Sequence, residues 1–541
     1  MTTEVVQATE NRWIVVTSPL SVALFLIANL LIHHDYPVAR AEVVVLCMAL
    51  FAPTLIIGAI QLLHPALKVM LSALVVTLGL VIQLDLTATN AAAVMLLVAL
   101  SSYLIRSRLC TLIAVFFATM AIVGVLTGSA NSISNNNVVS ADETLPVYIH
   151  VVLDGHIGPD GIPSDVPGGE QLEKDLVLFY QRYGFWLSNS AYSRYSTTDN
   201  SLLNLYNFTA GDFNYVSPGL VRIGFTQEID RPEYFRILRD SGYALRVLHP
   251  QYLDYCGSTM DWISSCTRYP NMNLQSVQSV SLSALEKAEL MLHVLIRQSR
   301  ILTRFYQTTH GFLGWQELQA EKIPANNGLQ IQNLIIDISQ HARGYAHIVH
   351  LLSPHEPFIR DPMCRYQPAR SNSEVSAMDD NVTVSLADGQ ATVTKGSNTA
   401  ATREVRYQRY FDNVRCSMLW LGQLFDTLSE KGLYDDAVII IHGDHGSRIS
   451  QLAPVATWEH QLTLDDYRDT FSTIFAVKGA EMSTQSSRRP LEVLLGDVVQ
   501  GLFDVKIETE NSGSFVYLLT ADEGLQLRRV DEPWLTDERS Q

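Results

Sequence analysis

Long apolar runs separated by short polar breaks fill the first 130 residues, and the pattern then changes. The segments 13–32, 43–63, 69–86, 91–105 and 110–126 are apolar throughout, and most approach the roughly 20 residues that a helix needs to cross a bilayer. They predict five membrane-spanning helices, of which the fourth, at 15 residues, is short. A cleaved export signal would account for one such run, not for four more joined by short polar loops. From residue 146 onward, short β-branched runs alternate with amphipathic stretches, which predicts an α/β domain built around a central, mainly parallel sheet. Between the two regions, 129–145 (SANSISNNNVVSADETL) is polar, lacks any apolar period and reads as a linker. The expected organisation is therefore a transmembrane domain over 1–128, a linker over 129–145 and an extracytoplasmic domain over 146–541.

Charge orients this plan. With the amino terminus inside, the inner loops carry Arg12, Lys68, Arg106 and Arg108, and the outer ones carry Arg40 alone. No Lys or Arg occurs from residue 109 to 173, so an odd number of spans delivers the rest of the chain to the outer face. The 541 residues are 47% hydrophobic with a positive mean hydropathy, together too apolar for a simple soluble protein, and a net charge of −17 argues against nucleic acid as a partner. Cys47 and Cys110 fall in apolar segments and are expected to pack inertly. In an exported region Cys256 and Cys266 favour a local disulfide, and Cys364 and Cys416 are available for a second. Four cysteines allow three pairings, and without a CxxC spacing zinc held by cysteine is the weaker reading.

The carboxyl ends of strands are where an open α/β sheet gathers its functional side chains. The run VYIHVVLD, 147–154, ends in Asp154 before a glycine turn; capping that turn is the plain alternative. A strand over 348–352 ends in Ser353-Pro354-His355-Glu356-Pro357, where two prolines stiffen the turn and present His355. His350, inside that strand, is expected to be a core histidine. A helix over 403–430 leads into a strand over 437–441 and then His442-Gly443-Asp444-His445-Gly446. Asp444 and His445 supply the oxygen and nitrogen donors that a divalent cation takes, whereas His442 is expected to pack at the strand end. Finally, in SAYSRYSTTDNSLLNLYNF, 190–208, a helix over about 169–187 gives way to a polar loop with Thr197 and Thr198 before a new helix starts near 199–201. A hydroxyl there sits where helix amides stabilise anions, and a metal beside it would activate it; an ordinary helix cap is the alternative.

In this order, LDG after the first strand, YSTTDNSLLNLYN, HLLSPHEPF and HGDHGSR, preceded by five apolar segments, the chain resembles the alkaline phosphatase and sulfatase superfamily. Within it the chain is most similar to the membrane-anchored sulfatase-like transferases, which include lipoteichoic acid synthase and the phosphoethanolamine transferases. The resemblance implies one divalent metal, zinc or manganese, held by Asp154, Thr198, Asp444 and His445. It makes Thr198 the nucleophile, by its spacing from Tyr195 and from Ser201-Leu202, with Thr197 as the fallback. It assigns His355 to the substrate phosphate or leaving group, and Arg448 and then His460 to further phosphate contacts. The implied activity is transfer of a phospholipid head group, phosphoethanolamine or phosphoglycerol, to an extracytoplasmic glycan or lipid through a phospho-threonine, at the bacterial cytoplasmic membrane. A phosphoester hydrolase and a catalytically silent membrane protein are the alternatives.

The chain also departs from the superfamily pattern. No Cys/Ser-x-Pro-x-Arg context surrounds Thr198, which disfavours sulfate-ester hydrolysis, and no second Asp-plus-two-His set is present, which favours a single metal. Asp154 stands where many of these transferases carry Glu. The polar insertion 370–402 reads equally as a lid or as a solvated loop or hairpin.

Overall fold

Five α-helices form in the apolar stretch: α1 (Arg12–His33), α2 (Ala41–Leu63), α3 (Lys68–Leu84), α4 (Ala88–Leu104) and α5 (Leu109–Thr127). They belong to a computed structural model that describes residues 12–127, 141–211, 227–302, 327–367 and 383–531, apart from short breaks within these ranges. Among the described residues, two helices, over Trp13–Ile32 and Ala41–Leu63, are long and apolar enough to cross a membrane; α3 and α4 are 17 residues each. Large apolar side chains stand exposed along these helices, among them Val44, Met48 and Ile56 on α2, Leu96 and Leu97 on α4, and Val115 and Phe116 on α5.

The chain divides into two units, one of Met1–Asn131 with Asn273–Ile323, the other of Ser132–Met272 with Pro324–Gln541. The expected domain over 146–541 is thus interrupted. Its residues 273–323 group with the apolar helices, because the amphipathic helix Ala284–Arg297 packs against α2. Of the expected linker over 129–145, residues 129–140 lie outside the described residues.

The second unit is built on a seven-stranded sheet: β1 (Tyr148–Leu153), β2 (Trp186–Leu187), β3 (Ala244–Pro250), β4 (Ile263–Tyr269), β5 (Tyr345–Leu351), β6 (Val438–Gly443) and β7 (Phe475–Lys478), in the spatial order β2-β7-β6-β1-β5-β3-β4. The five strands from β6 to β4 run parallel, and only β7 is reversed. Every residue of β1 is buried, as expected of a strand covered on both faces. Ile149, Val151 and Leu153 join one core with α6 (Gly169–Arg182), α8 (Asn327–Gln340) and α9 (Ala400–Glu430). Tyr148 and Val152 point to the other face, against α7 (Thr198–Asn207) and the helix Leu491–Phe503.

One expectation about this unit changes, and two open readings are resolved. The helix expected over 169–187 stops at Arg182, since Gly184 turns at φ +71° and Trp186–Leu187 returns to the sheet edge. The insertion contains an antiparallel hairpin, Thr383–Ala387 with Gln390–Thr394, while 368–382 lie outside the described residues. Of the three possible pairings, Cys256–Cys266 and Cys364–Cys416 is the one formed.

Candidate active site

Strand order assembles the site. β1 lies between β6 and β5, with Leu153 level with Gly443 on one side and Leu351 on the other. The residues that follow these three strands, Asp154, Asp444-His445 and the His355 turn, therefore meet at one edge of the sheet. Tight turns bring them close. Gly155 adopts φ +69°, which favours glycine, and its amide donates to Asp444 Oδ1 at 2.8 Å. At Gly446 a Cβ would lie 2.5 Å from the carbonyl oxygen of Asp469, so this position too needs glycine.

Asp154, Asp444 and His445 are buried, and one ligand atom from each falls within 4.8 Å of the others. His445 Nε2 lies 3.3 Å from Asp444 Oδ2 and 3.6 Å from Asp154 Oδ1. Its Nδ1 donates to the carbonyl of Gly446 at 2.7 Å, which leaves the Nε2 lone pair of the neutral ring facing both carboxylates. Burial holds the imidazole below its ordinary pKa and keeps it neutral. Asp154 Oδ1 and Asp444 Oδ2 are buried and have no hydrogen-bond partner.

The remaining carboxylate oxygens are satisfied. Asp444 Oδ1 accepts from the amides of Gly155 and His445, and Asp154 Oδ2 accepts from the Tyr252 hydroxyl at 2.7 Å. Burial and the adjacent Asp154 carboxylate raise the Tyr252 pKa far above its ordinary value, so the phenol remains a donor. For Asp154 itself burial acts upward, but the imidazoles of His355 and His350 outweigh it and hold the carboxyl well below the usual range. Two carboxylate oxygens and an imidazole lone pair, all acceptors, converging with no donor among them is a costly arrangement, on the order of several kcal/mol. A divalent cation removes that cost, and the donor set, two carboxylates and a nitrogen, suits zinc or manganese.

Thr198 is the first residue of α7, and its Oγ1 lies 3.5 Å from His445 Nε2. Thr197 is the N-cap residue, and its hydroxyl is taken by Asn200 Nδ2 at 3.0 Å. Ser201, one turn into α7, donates to the Asp444 carbonyl at 2.5 Å and fixes the helix against the ligand loop.

The proline-bracketed turn forms as expected, with both the Ser353-Pro354 and Glu356-Pro357 bonds cis. His355 Nδ1 donates to the Glu356 carbonyl at 2.8 Å, and its Nε2 faces Arg448 Nη2 while lying 3.9 Å from Asp154 Oδ1. Arg448 takes the left-handed conformation at φ +56°, its amide donating to the carbonyl of Asp469 at 2.8 Å. His460 is not brought to this group. It lies exposed on the 3-10 turn Ala456–Gln461, beside the Gln461 amide.

Two histidines differ in outcome. His442 packs at the strand end, with Nε2 2.7 Å from His150 Nε2 and Nδ1 donating to the Gly443 carbonyl. His350 is buried but is more than a core residue: its Nε2 lies 3.5 Å from Asp154 Oδ2 and its Nδ1 2.7 Å from the Tyr255 hydroxyl. Tyr252 and Tyr255 carry no local motif in the sequence, although they follow β3 at the same edge of the sheet. Tyr410 carries none either; its hydroxyl donates to the Gly155 carbonyl and accepts from the Ile157 amide.

No protein-family profile matches the chain, and no curated protein does. Solved structures do resemble it. The C-terminal periplasmic domain of EcEptC from Escherichia coli, in complex with Zn, shares 11% identity over 72% of this chain and 94% of that one, with a TM-score of 0.39. The phosphonate monoester hydrolase of Agrobacterium radiobacter shares 11% over 69% and 80%, with a TM-score of 0.38. The lipoteichoic acid synthase LtaP from Listeria monocytogenes shares 13% over 69% and 77%, with a TM-score of 0.34. At these identities and scores the functional reading rests on the chemistry of the site.

Proposed function

We propose that this chain is a membrane-anchored, metal-dependent phosphotransferase of the sulfatase-like type, which moves a phospholipid head group to an extracytoplasmic acceptor through a phospho-threonine. One observation carries the reading: two unpartnered carboxylate oxygens and an imidazole lone pair converge beside a hydroxyl at a helix start. The ligands would be Asp154, Asp444, His445 and Thr198. A cation bound there would lower the pKa of the threonine hydroxyl and offset the charge on the phosphoryl oxygens.

Thr198 Oγ1 attacks the head-group phosphorus, and the new Oγ1–P bond forms as the P–O bond to diacylglycerol breaks. Thr198 gives up one proton and the diacylglycerol oxygen gains one; His355 Nε2 would carry it once the Arg448 guanidinium turns to the phosphoryl oxygens, since Nδ1 is held on the Glu356 carbonyl. Amides at the start of α7 and the Arg448 guanidinium stabilise the oxygens of the transition state. An acceptor hydroxyl, on a glycan or lipid, then takes the head group from Thr198 by the reverse exchange.

The apolar helices with their exposed Val, Leu and Phe side chains support a multi-pass anchor, and the Arg and Lys distribution supports a cytoplasmic amino terminus. Donor and acceptor would then both be met at the bilayer surface. To test this, the purified full chain is mixed with vesicles of phosphatidylethanolamine or phosphatidylglycerol, and diacylglycerol, metal content and intact mass are measured. The expected result is one metal, released diacylglycerol and a head-group adduct on Thr198. Free head group with an unmodified acceptor would instead make the chain a hydrolase. A metal-free chain that leaves both lipids intact would support the silent alternative.

A further inference from the structure

Arg406, on the buried face of α9, has a side chain only 2% exposed. Its Nη2 lies 3.3 Å from Glu356 Oε2, while Nε and Nη1 are buried without a hydrogen-bond partner. A buried guanidinium with two idle donors is costly, because it forfeits the water bonds it would otherwise make. Arg406 lines a small pocket open to solvent together with His355, Glu356, Ser447 and Arg448. Glu356 is the one acidic residue among the lining residues, set against two guanidinium groups. The neighbouring Asp469 carboxylate is already occupied by Arg403 and the Tyr407 hydroxyl. The pocket therefore carries excess positive charge and has donors to spare.

We infer that Arg406, with Arg448 and Ser447, forms an anion subsite that takes a phosphate group of the substrate other than the phosphoryl group being transferred. The inference rests on the phosphotransferase reading and narrows it: one of the two substrates carries a second phosphate. A guanidinium presents paired N–H groups in a plane, which matches two oxygens of a phosphate better than an ammonium would.

The test titrates inorganic phosphate into the full chain, loaded with metal, by calorimetry. Two binding events are expected. EDTA should abolish one. Arg406→Gln should weaken the other by about tenfold, the scale of one lost charge-assisted hydrogen bond, and leave metal content and thermal midpoint unchanged. Arg406→Lys should restore part of that binding, because the charge returns without the paired N–H geometry.

Phosphate binding indifferent to Arg406→Gln, beside an intact EDTA-sensitive event, would overturn the subsite alone. An Arg406-dependent event without any EDTA-sensitive one would keep the subsite and overturn the metal-dependent reading. A parallel fall in metal content and thermal midpoint, unrelieved by lysine, would reduce Arg406 to a structural partner of Glu356 and overturn the inference. Repeating the titration with glycerol 3-phosphate and with phosphatidic acid in phosphatidylcholine vesicles separates a soluble from a lipid-borne phosphate. Loss on Arg406→Gln in either arm supports the subsite and names the source; loss in neither overturns it.

Discussion

His249 Nε2 lies 3.7 Å from Cys256 Sγ and 3.6 Å from Cys266 Sγ, all three buried, so the α/β unit holds a second cluster of metal-ligand type beside Asp154, Asp444 and His445. The two differ in what remains unpaid by the protein itself. In the first, the sulfurs are bonded to each other and the histidine Nδ1 donates to the Pro250 carbonyl, so no charge is stranded. In the second, two carboxylate oxygens are left unpartnered and face a lone pair. Crowding of donor atoms is common to both; uncompensated negative charge belongs to one, and it is the better sign of a cation site.

Asp444→Asn should lower metal affinity by about 10²–10³-fold, one ligand's share of a site worth roughly 10–16 kcal/mol. The paired change Cys256→Ser with Cys266→Ser should leave metal stoichiometry intact. Elemental analysis of both proteins decides, and the reverse result would move the metal to the histidine and cysteine group. That cysteine pair should show its effect in stability instead, a loss of about 3 kcal/mol in denaturant unfolding, since it closes a short loop.

Acid should act on the buried histidines of the same sheet. Burial lowers His442 to about 4 and holds His150 lower than its ordinary value as well. Because the unfolded chain binds protons that the folded state refuses, the stability these rings contribute is present above about pH 6.5 and is lost as pH falls toward about 4. His442 alone should cost about 2 kcal/mol between about pH 7 and 5. His442→Gln should flatten that part of the pH profile of the unfolding midpoint. The smallest effect expected is that of Tyr252→Phe, which removes the hydrogen bond on Asp154 Oδ2 and should weaken metal binding about tenfold, with the fold unchanged by circular dichroism.

Strand ends were legible because β-branched runs that stop at Gly or Pro mark both the strand and its exit, as at Asp154, His355 and Asp444. Thr198 was legible as a helix start, but its choice over Thr197 depended on the spacing motif; in the structure the Thr198 hydroxyl lies beside His445 and the Thr197 hydroxyl accepts from Asn200. Tyr252 was missed because its nearness to Asp154 follows from β3 pairing with β5, which no local pattern states. Arg406 left a fainter trace: Arg403, Arg406, Tyr407 and Tyr410 share a helical face with Phe411 and Val414, so charge falls where the period demands burial. The grouping of 273–323 with the apolar helices rests on packing against α2, a long-range contact that composition does not encode.

The Cys364–Cys416 bridge, separated by 52 residues, has a mechanical consequence. It closes a covalent ring that contains the hairpin insertion and Arg406, with one end just beyond the His355 turn. A break in the backbone anywhere inside that ring opens it without parting the two halves of the unit. The insertion can therefore be cut, shortened or replaced while the residues on either side of it stay fastened to each other.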